Sequence, residues 1–257
     1  MDLLDWSILG PAFFAGLLVL STHVPLGQEV LKRGIIFIDL AIAQIAGLGV
    51  LAAGTFGWEE QLWAVQLCAV SAALIASVAL NWTEKRWPEA QEPIIGILFV
   101  LAATGSILLL AENPHGAQHL KDLLVGQILW STWPALIQVA VLYAVLLTVW
   151  FKWHEQMGQK GFYIIFAFAV TASVQLVGVY LVFASLIIPA LATRRMHGTR
   201  RLVSGYLLGI AAYAAGIILS AVLDLPTGAV SVWTMAILAV AVGNWIGYRI
   251  KRPRKTG

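Results

Sequence analysis

The chain has 257 residues, of which 60% are apolar and only 11% are charged. A soluble domain of ordinary composition carries about a quarter charged residues. So much apolar surface exceeds what one buried core of this length takes up, and this excludes a soluble globular protein: much of the surface must face lipid. The single cysteine, Cys68, excludes a disulfide framework. The net charge of +3 does not indicate nucleic-acid binding, since the basic residues stand in short clusters between apolar runs.

Apolar runs in chain order predict the secondary structure, because a helix needs about 20 mostly apolar residues to cross the hydrocarbon layer. Such runs lie at roughly 7–27, 35–55, 61–81, 93–111, 133–151, 202–223 and 227–248. A further stretch, 161–193, is too long for one span and short for two, and it predicts a tight pair of short or broken helices with a turn near Gln175–Gly178. The sequence therefore predicts an all-α, polytopic transmembrane helix bundle of about eight to nine spans, forming one membrane domain over residues 1–257.

The distribution of basic residues predicts the orientation. Taking the spans in order, fifteen of the sixteen Lys and Arg residues fall in loops on one side, and only Lys121 falls on the other. That side is expected to be the cytoplasm, which places the N-terminus outside and the C-terminus inside. No basic segment precedes the first apolar run, so we expect that run to stay in the mature protein.

Several enzyme motifs are absent from the sequence. It contains no GxxxxGK[ST] phosphate loop and no HExxH, CxxC or GxSxG motif, so no enzyme active site is expected. The spans also lack the series of buried charges expected of a proton-driven pump, since only Asp39 is an intramembrane charge. If the protein moves a solute uphill, the energy is expected to enter through a partner.

Asp39 lies one turn into the second predicted span, six residues after Arg33. An ionised carboxylate in hydrocarbon costs several kcal/mol, so it must face the bundle interior, water or a partner. At helical spacing its face continues through small and apolar residues, namely Ala43, Ala46, Gly47 and Val50. Two interpretations stay open: a pathway carboxylate that meets a cation, or an interfacial residue that caps the helix or pairs with Arg33.

Two other polar residues lie within the predicted spans. Gln44 is about 140° around the helix from Asp39 and needs a hydrogen-bond partner; an inter-helix hydrogen bond is favoured over a pathway role. His23 lies near the inner end of the first predicted span, and we expect it to be a satisfied interfacial histidine.

A histidine pair on the predicted outer side is a candidate metal-collecting site. His115 and His119, in NPHGAQH, stand four residues apart, and on a helix both imidazoles would reach one metal ion. Pro114 and Gly116 favour a loop at His115, so two solvated loop histidines are the alternative.

A basic cluster follows the stretch that ends in LIIPALAT, where Pro189 is expected to break the helix and a short helix to follow. Its basic side chains are Arg194, Arg195, His197, Arg200 and Arg201. Held at the membrane surface, this segment could dock a soluble partner. Simple positive-inside anchoring explains the charge equally well, and both interpretations stay open.

Six blocks follow one another along the chain: VPLGQEVLKRGIIFIDLAIAQIAGLGV (24–50), TEKR (83–86), EPIIGILF (92–99), DLLVGQILW (122–130), VGVYLVFASLIIPALATRR (177–195) and DLPTGAVSVW (224–233). Together they resemble the permease subunit of the ATP-binding-cassette importers for zinc, manganese or iron. The fifth block is the most specific match, and the likeness covers almost the whole chain.

The resemblance implies a multi-pass permease of a prokaryotic inner (plasma) membrane that gives passage to a divalent metal ion, zinc first and manganese or iron as alternatives. Two permeases would pair as a homodimer. Two cytoplasmic ATPases would bind beneath them, so ATP would act only through that partner, and residues 192–201 would be the coupling element. An extracytoplasmic solute-binding protein would deliver the ion. No cofactor would be held covalently; the metal is cargo.

The sequence departs from this family pattern in two places. The family usually has a histidine four residues after the aspartate of the second helix, where this chain has Ala43, or Gln44 after a one-residue slip; neither is a good zinc ligand. The link 152–160 is also shorter than is usual. The alternative functions are a permease for a chelate of the cobalamin or siderophore type, a stand-alone secondary carrier or channel, and a membrane scaffold that transports nothing.

Overall fold

The computed structural model describes residues 6–58, 60–110 and 116–251, and within these ranges every regular element is a helix. The helices are α1 (Trp6–Arg33), α2 (Ile38–Thr55), α3 (Leu62–Arg86), α4 (Gln91–Leu109), α5 (Gly116–Val125), α6 (Trp133–Val177), α7 (Val179–Ala192), α8 (Gly198–Leu223) and α9 (Thr227–Lys251). Short 3-10 turns at Pro88–Ala90 and Ile128–Trp130 precede α4 and α6. The predicted all-α architecture is confirmed.

Seven segments of the described chain are long and apolar enough to cross a membrane: Trp6–Arg33, Ile38–Thr55, Leu62–Arg86, Pro88–Leu109, Trp133–Trp153, Gln156–Val177 and Gly198–Leu223. Val179–Ala192 and Thr227–Gly243 are apolar but shorter. These segments make the protein a polytopic helix bundle. The number of crossings and the side on which each terminus lies stay predictions.

Helix α6 is a hairpin of two arms. Gly158 has φ 56° and ψ −151°, which no residue inside a helix adopts, and the chain folds back there. Across the two arms the Trp150 and Phe162 rings lie 6.2 Å apart, and the Tyr143 hydroxyl donates a hydrogen bond of 3.0 Å to the Ala169 carbonyl. Residues thus pair in reverse order, so the arms are antiparallel, and the short predicted link 152–160 is the tip of the hairpin.

The apolar stretch 161–193 does contain a break, in the position predicted. Gly178, with φ 78°, ends α6 and precedes α7. The helix break expected at Pro189 is wrong, because α7 continues through it to Ala192, and the Thr193 N–H donates to the Pro189 carbonyl at 3.2 Å. A proline removes only its own backbone donor, and packed membrane helices tolerate that loss.

Small residues bring α1 close to α7 and α8. At Gly27 a side chain would overlap the Leu186 carbonyl of α7, and at Gly209 of α8 it would overlap Leu20 of α1. Lipid supplies little hydrophobic driving force between helices, so such close approach and its dispersion contacts hold them together. This packing buries α1 and α7 and encloses the polar groups described next.

Candidate functional site

Asp39 lies in the first turn of α2 and is fully buried, with 0% of its surface exposed. Neither carboxylate oxygen accepts a hydrogen bond from any described residue. The interfacial interpretation does not fit, since the Arg33 Nε donates to Glu29 at 2.9 Å, and the N-cap N–H of Phe37 donates to Glu92 at 3.2 Å and not to Asp39. Asp39 is therefore an unpaired carboxylate inside the bundle.

The Tyr143 hydroxyl, on the first arm of α6, joins this carboxylate to two other segments. Besides its bond to the second arm at Ala169, it lies 2.5 Å from the Ser173 hydroxyl. It also lies near Thr22 of α1 and near the Asp39 carboxyl group. Polar groups of α1, α2 and both arms of α6 thus converge in the apolar interior.

His23 lies beside Thr22 and is also fully buried. Its Nδ1 is 3.0 Å from the Val19 carbonyl and 3.1 Å from the Thr22 hydroxyl, and its Nε2 has no hydrogen-bond partner among the described residues. The expectation of a satisfied interfacial histidine is wrong. Because α1 continues to Arg33 instead of ending near residue 27, His23 lies well inside the helix and faces the bundle core.

The polar groups continue towards α7 and α8. The Tyr213 hydroxyl is 2.8 Å from the Ser185 hydroxyl, and Tyr213 lies near Tyr143. We call the connected set the central polar row; its members are Thr22, His23, Asp39, Tyr143, Ser173, Ser185 and Tyr213. From the sequence, only Asp39 of this set is recognisable as a candidate pathway residue, because single Tyr and Ser residues in apolar runs give no periodic signal.

Gln44 is buried, and its Oε1 accepts no hydrogen bond from a described residue, so the predicted inter-helix bond to that oxygen is not formed. Ala43 is buried and offers no donor atom. Further along α2, Gly47 lies against the Leu123 side chain of α5, which covers the strip of small residues beyond Asp39. The described residues contain no group of three or more metal-ligating side chains.

The histidine pair cannot be placed as a site. His115 lies outside the described residues, and the His119 side chain is not described although its backbone belongs to α5. On the same helix, the Gln118 amide donates to the Asp122 carboxylate at 2.8 Å. The metal-collecting site stays a prediction.

The basic cluster lies on the turn between α7 and α8 and on the first turn of α8. Arg194, Arg195, His197 and Arg200 are exposed, whereas Arg201 is half-buried and its Nε has no partner among the described residues. The short helix expected here is wrong: residues 193–197 form a turn, and α8 starts directly at Gly198. Next to it, between α7 and α9, is a cavity of about 310 Å³ lined by residues that include Arg194 and Arg195.

A bundle of long apolar helices that encloses an unpaired carboxylate and a row of hydroxyl and imidazole groups has the architecture of a multi-pass membrane transport protein. The model of the ABC 3 transport family matches residues 5–159 and 156–244. The chain belongs to this family, which confirms the resemblance found in the sequence.

Two curated relatives cover nearly the whole chain. A protein of Thermotoga maritima described as a probable metal transport system membrane protein is 28% identical over 253 residues, 90% of this chain and 87% of the relative. The high-affinity zinc uptake system membrane protein ZnuB of Haemophilus influenzae is 24% identical over 256 residues, 91% of this chain and 96% of the relative.

Two solved structures share the fold. PsaBC from Streptococcus pneumoniae in complex with Fab has a TM-score of 0.75 and 16% identity, and covers 93% of this chain and 94% of that one. An inward-facing putative metal-chelate type ABC transporter has a TM-score of 0.66 and 15% identity, with coverage of 93% and 84%. At these identities the two likenesses show the fold alone.

Proposed function

We propose that this chain is the membrane permease subunit of an ATP-driven importer and provides the pathway for a divalent metal ion. The observation that carries the proposal is the fully buried Asp39 carboxylate, which no described residue pairs or hydrogen-bonds. An unpaired carboxylate in a membrane interior is costly and needs a compensating partner. A passing cation is such a partner. A permanent salt bridge to Asp39 within the protein would compete with that cation for the carboxylate.

The relatives support a metal as the cargo. The relative from Haemophilus influenzae belongs to a zinc uptake system, and the one from Thermotoga maritima is described as part of a metal transport system. We therefore place zinc first, with manganese and iron as alternatives. Asp39 receives the ion in the bundle, the Gln44 amide oxygen assists it, and His115 with His119 collects it at the outer side.

The remaining parts of the importer are proposed as separate chains. The sequence has no phosphate loop, so ATP acts through a cytoplasmic ATP-binding-cassette ATPase, and this subunit is itself not an enzyme. The segment 192–201, whose basic side chains are Arg194, Arg195, His197, Arg200 and Arg201, contacts that ATPase and transmits its closure to α7 and α8. A solute-binding protein delivers the ion outside, and two permeases pair in the inner membrane of a prokaryote, with N-termini outside and C-termini in the cytoplasm.

Two other transport functions compete with this one. A chelate permease would need a passage wide enough for a cobalamin or siderophore. A stand-alone carrier or channel would work without the ATPase. The buried carboxylate favours a bare cation over a bulky chelate, because a single charge at close range recognises a small ion.

The test is uptake into proteoliposomes that hold the permease with its ATPase and binding protein. We expect ATP-dependent accumulation of zinc, with manganese and iron as competitors, and loss of uptake in Asp39→Ala and Asp39→Asn. The exposed Glu89, replaced by Gln, is the matched carboxylate control. Uptake at the wild-type rate in both Asp39 variants would remove Asp39 from the pathway, and uptake without ATP would indicate a stand-alone carrier.

A further inference from the structure

Among the histidine side chains that the structure describes, only His23 is buried; His197 is exposed. His23 has 0% of its surface exposed, and its Nε2 faces the bundle interior with no hydrogen-bond partner among the described residues. A buried ring nitrogen without a partner is unusual, because nearly all buried polar groups are satisfied. It therefore requires an explanation other than packing.

The hydrogen bonds of the other ring nitrogen determine the tautomer of His23. Nδ1 lies 3.0 Å from the Val19 carbonyl oxygen, which can only accept, so Nδ1 carries the proton and donates it. Nε2 of the neutral ring then has a free lone pair directed into the core. Histidines that bind metals have this arrangement, in which one N–H donates to a backbone carbonyl and the other nitrogen ligates.

The surroundings of His23 connect it to Asp39. Thr22, which lies 3.1 Å from the His23 Nδ1, lies near the Tyr143 hydroxyl. That hydroxyl in turn lies near the Asp39 carboxyl group. Thr22 and Tyr143 thus link the part of α1 that carries His23 to the surroundings of Asp39 on α2. The His23 Nε2 and both Asp39 carboxylate oxygens have no hydrogen-bond partner among the described residues.

We propose that His23 Nε2 forms a second cation-binding site on the pathway, separate from Asp39. We further propose that this site selects for metals that accept nitrogen ligands. This inference rests on the proposed function and names the residue that gives the pathway its selectivity. Imidazole suits zinc and other late divalent metals, whereas manganese and magnesium prefer oxygen ligands. With Ala43 offering no ligand and Gln44 only an amide oxygen, His23 supplies the nitrogen for such a metal.

The test uses the permease in complex with its ATPase and binding protein, and the variants His23→Ala and His23→Gln. Gln keeps a polar side chain of similar length but removes the imidazole. Ser21→Ala is the matched control on the same helix, because among the described residues the Ser21 hydroxyl donates to the Leu18 carbonyl of its own helix and to no other group. Zinc and manganese are added separately, and equilibrium binding, uptake and zinc-edge X-ray absorption are measured.

We expect both His23 variants to lose zinc affinity by at least about tenfold, with a change of less than about threefold for manganese. The imidazole scattering of bound zinc should fall in both variants and persist in Ser21→Ala. The variant His23→Gln also tests for a folding defect. If it elutes as an intact complex and still binds manganese, it is folded, and its loss of zinc affinity comes from the missing imidazole.

Three results would overturn the cation-binding site at His23. They are an unchanged zinc affinity in both variants, equal losses of affinity for zinc and manganese, or a zinc X-ray absorption spectrum identical to that of the unaltered protein. The proposed function fails in a different way. In that case the unaltered complex takes up neither zinc nor manganese when ATP is supplied, and the cation-binding site at His23 is then contradicted as well.

Discussion

Gly126 and Gly178 meet backbone to backbone, and neither position has room for a side chain. A Cβ at either residue would overlap the backbone of the other. Both have positive φ, 73° and 78°, a conformation that glycine adopts without strain. The turn after α5 is thereby fixed against the start of α7. Gly228 at the start of α9 extends the same contact, because a Cβ there would overlap the Val125 carbonyl.

Replacing Gly178 by Ala should destabilise the protein. The new Cβ would overlap the Gly126 backbone and would also be strained at φ 78°, so we expect a loss of roughly 2 kcal/mol or more in the free energy of unfolding. Thermal unfolding of the purified protein in detergent measures it.

Two other glycines separate the effect of steric overlap from the effect of backbone strain at positive φ. Gly57 has φ 74°, and no atom of the described residues lies within 4 Å of a Cβ placed there, so Gly57→Ala should show only the cost of backbone strain, about 1–2 kcal/mol. Gly96 is helical with open space around it, and Gly96→Ala should raise stability by about 0.5–1 kcal/mol. Equal losses at positions 57 and 178 would show that the contact with Gly126 adds nothing.

Replacing Asp39 by Asn should abolish metal uptake and raise thermal stability. The variant removes a buried carboxyl group that has no hydrogen-bond partner among the described residues, and it keeps the size of the side chain. Each kcal/mol gained should raise the unfolding temperature by about 2–4 °C in a protein of this size. A melting curve in metal-free buffer, next to the uptake assay, measures both effects.

The matched comparison for Asp39 is Glu29, whose carboxylate is paired with Arg33. Glu29→Gln should lower stability slightly or leave it unchanged, since a partly exposed ion pair contributes about 0–1 kcal/mol. If Asp39→Asn instead lowers the unfolding temperature by more than Glu29→Gln does, the carboxylate has a structural partner in solution and its role as a pathway residue is contradicted.

Replacing Tyr143 by Phe should loosen the α6 hairpin and slow uptake. The hydroxyl donates across the two arms to Ala169 and contacts Ser173, so its loss should cost about 1–2 kcal/mol of unfolding free energy. Tyr180 is 53% exposed on α7, and Tyr180→Phe is the matched control, expected within about 0.5 kcal/mol of the original. Equal unfolding temperatures and equal uptake rates for the two variants would contradict a role for Tyr143 in the central polar row.

Reversing the charge of Arg200 should uncouple ATP hydrolysis from uptake. Arg200 is exposed on the first turn of α8, in the segment proposed to contact the ATPase. We expect Arg200→Glu to reduce the metal uptake per ATP hydrolysed at least about fivefold. Repulsion between like charges, or the loss of a favourable contact, costs about 1 kcal/mol or more at an interface. Uptake and phosphate release are measured in the same proteoliposomes.

Lys85 is the control for that experiment, since it is an exposed cation at the end of α3 and outside the 192–201 segment. Lys85→Glu should leave the coupling ratio unchanged. A similar loss in both variants would indicate that the basic residues act together as membrane anchors.

The sequence by itself determined the class of protein, the helical architecture and the positions of most helices, because apolar runs of about 20 residues have few alternatives in a bilayer. It predicted a break near Gln175–Gly178, because that apolar stretch is too long for one helix, and the structure has the break at Gly178. It also singled out Asp39, because one carboxylate in an apolar run is conspicuous whatever surrounds it.

Only the tertiary structure decided which polar groups meet. The α6 hairpin brings Tyr143 to Ser173, residues 30 positions apart, and α1 continues far enough to place His23 in the core. Hydropathy along a chain does not record such contacts, since it reports whether a residue tolerates lipid but not which helix faces it. For the same reason, Pro189 signalled a helix end in the sequence, while the packing around α7 keeps that helix continuous.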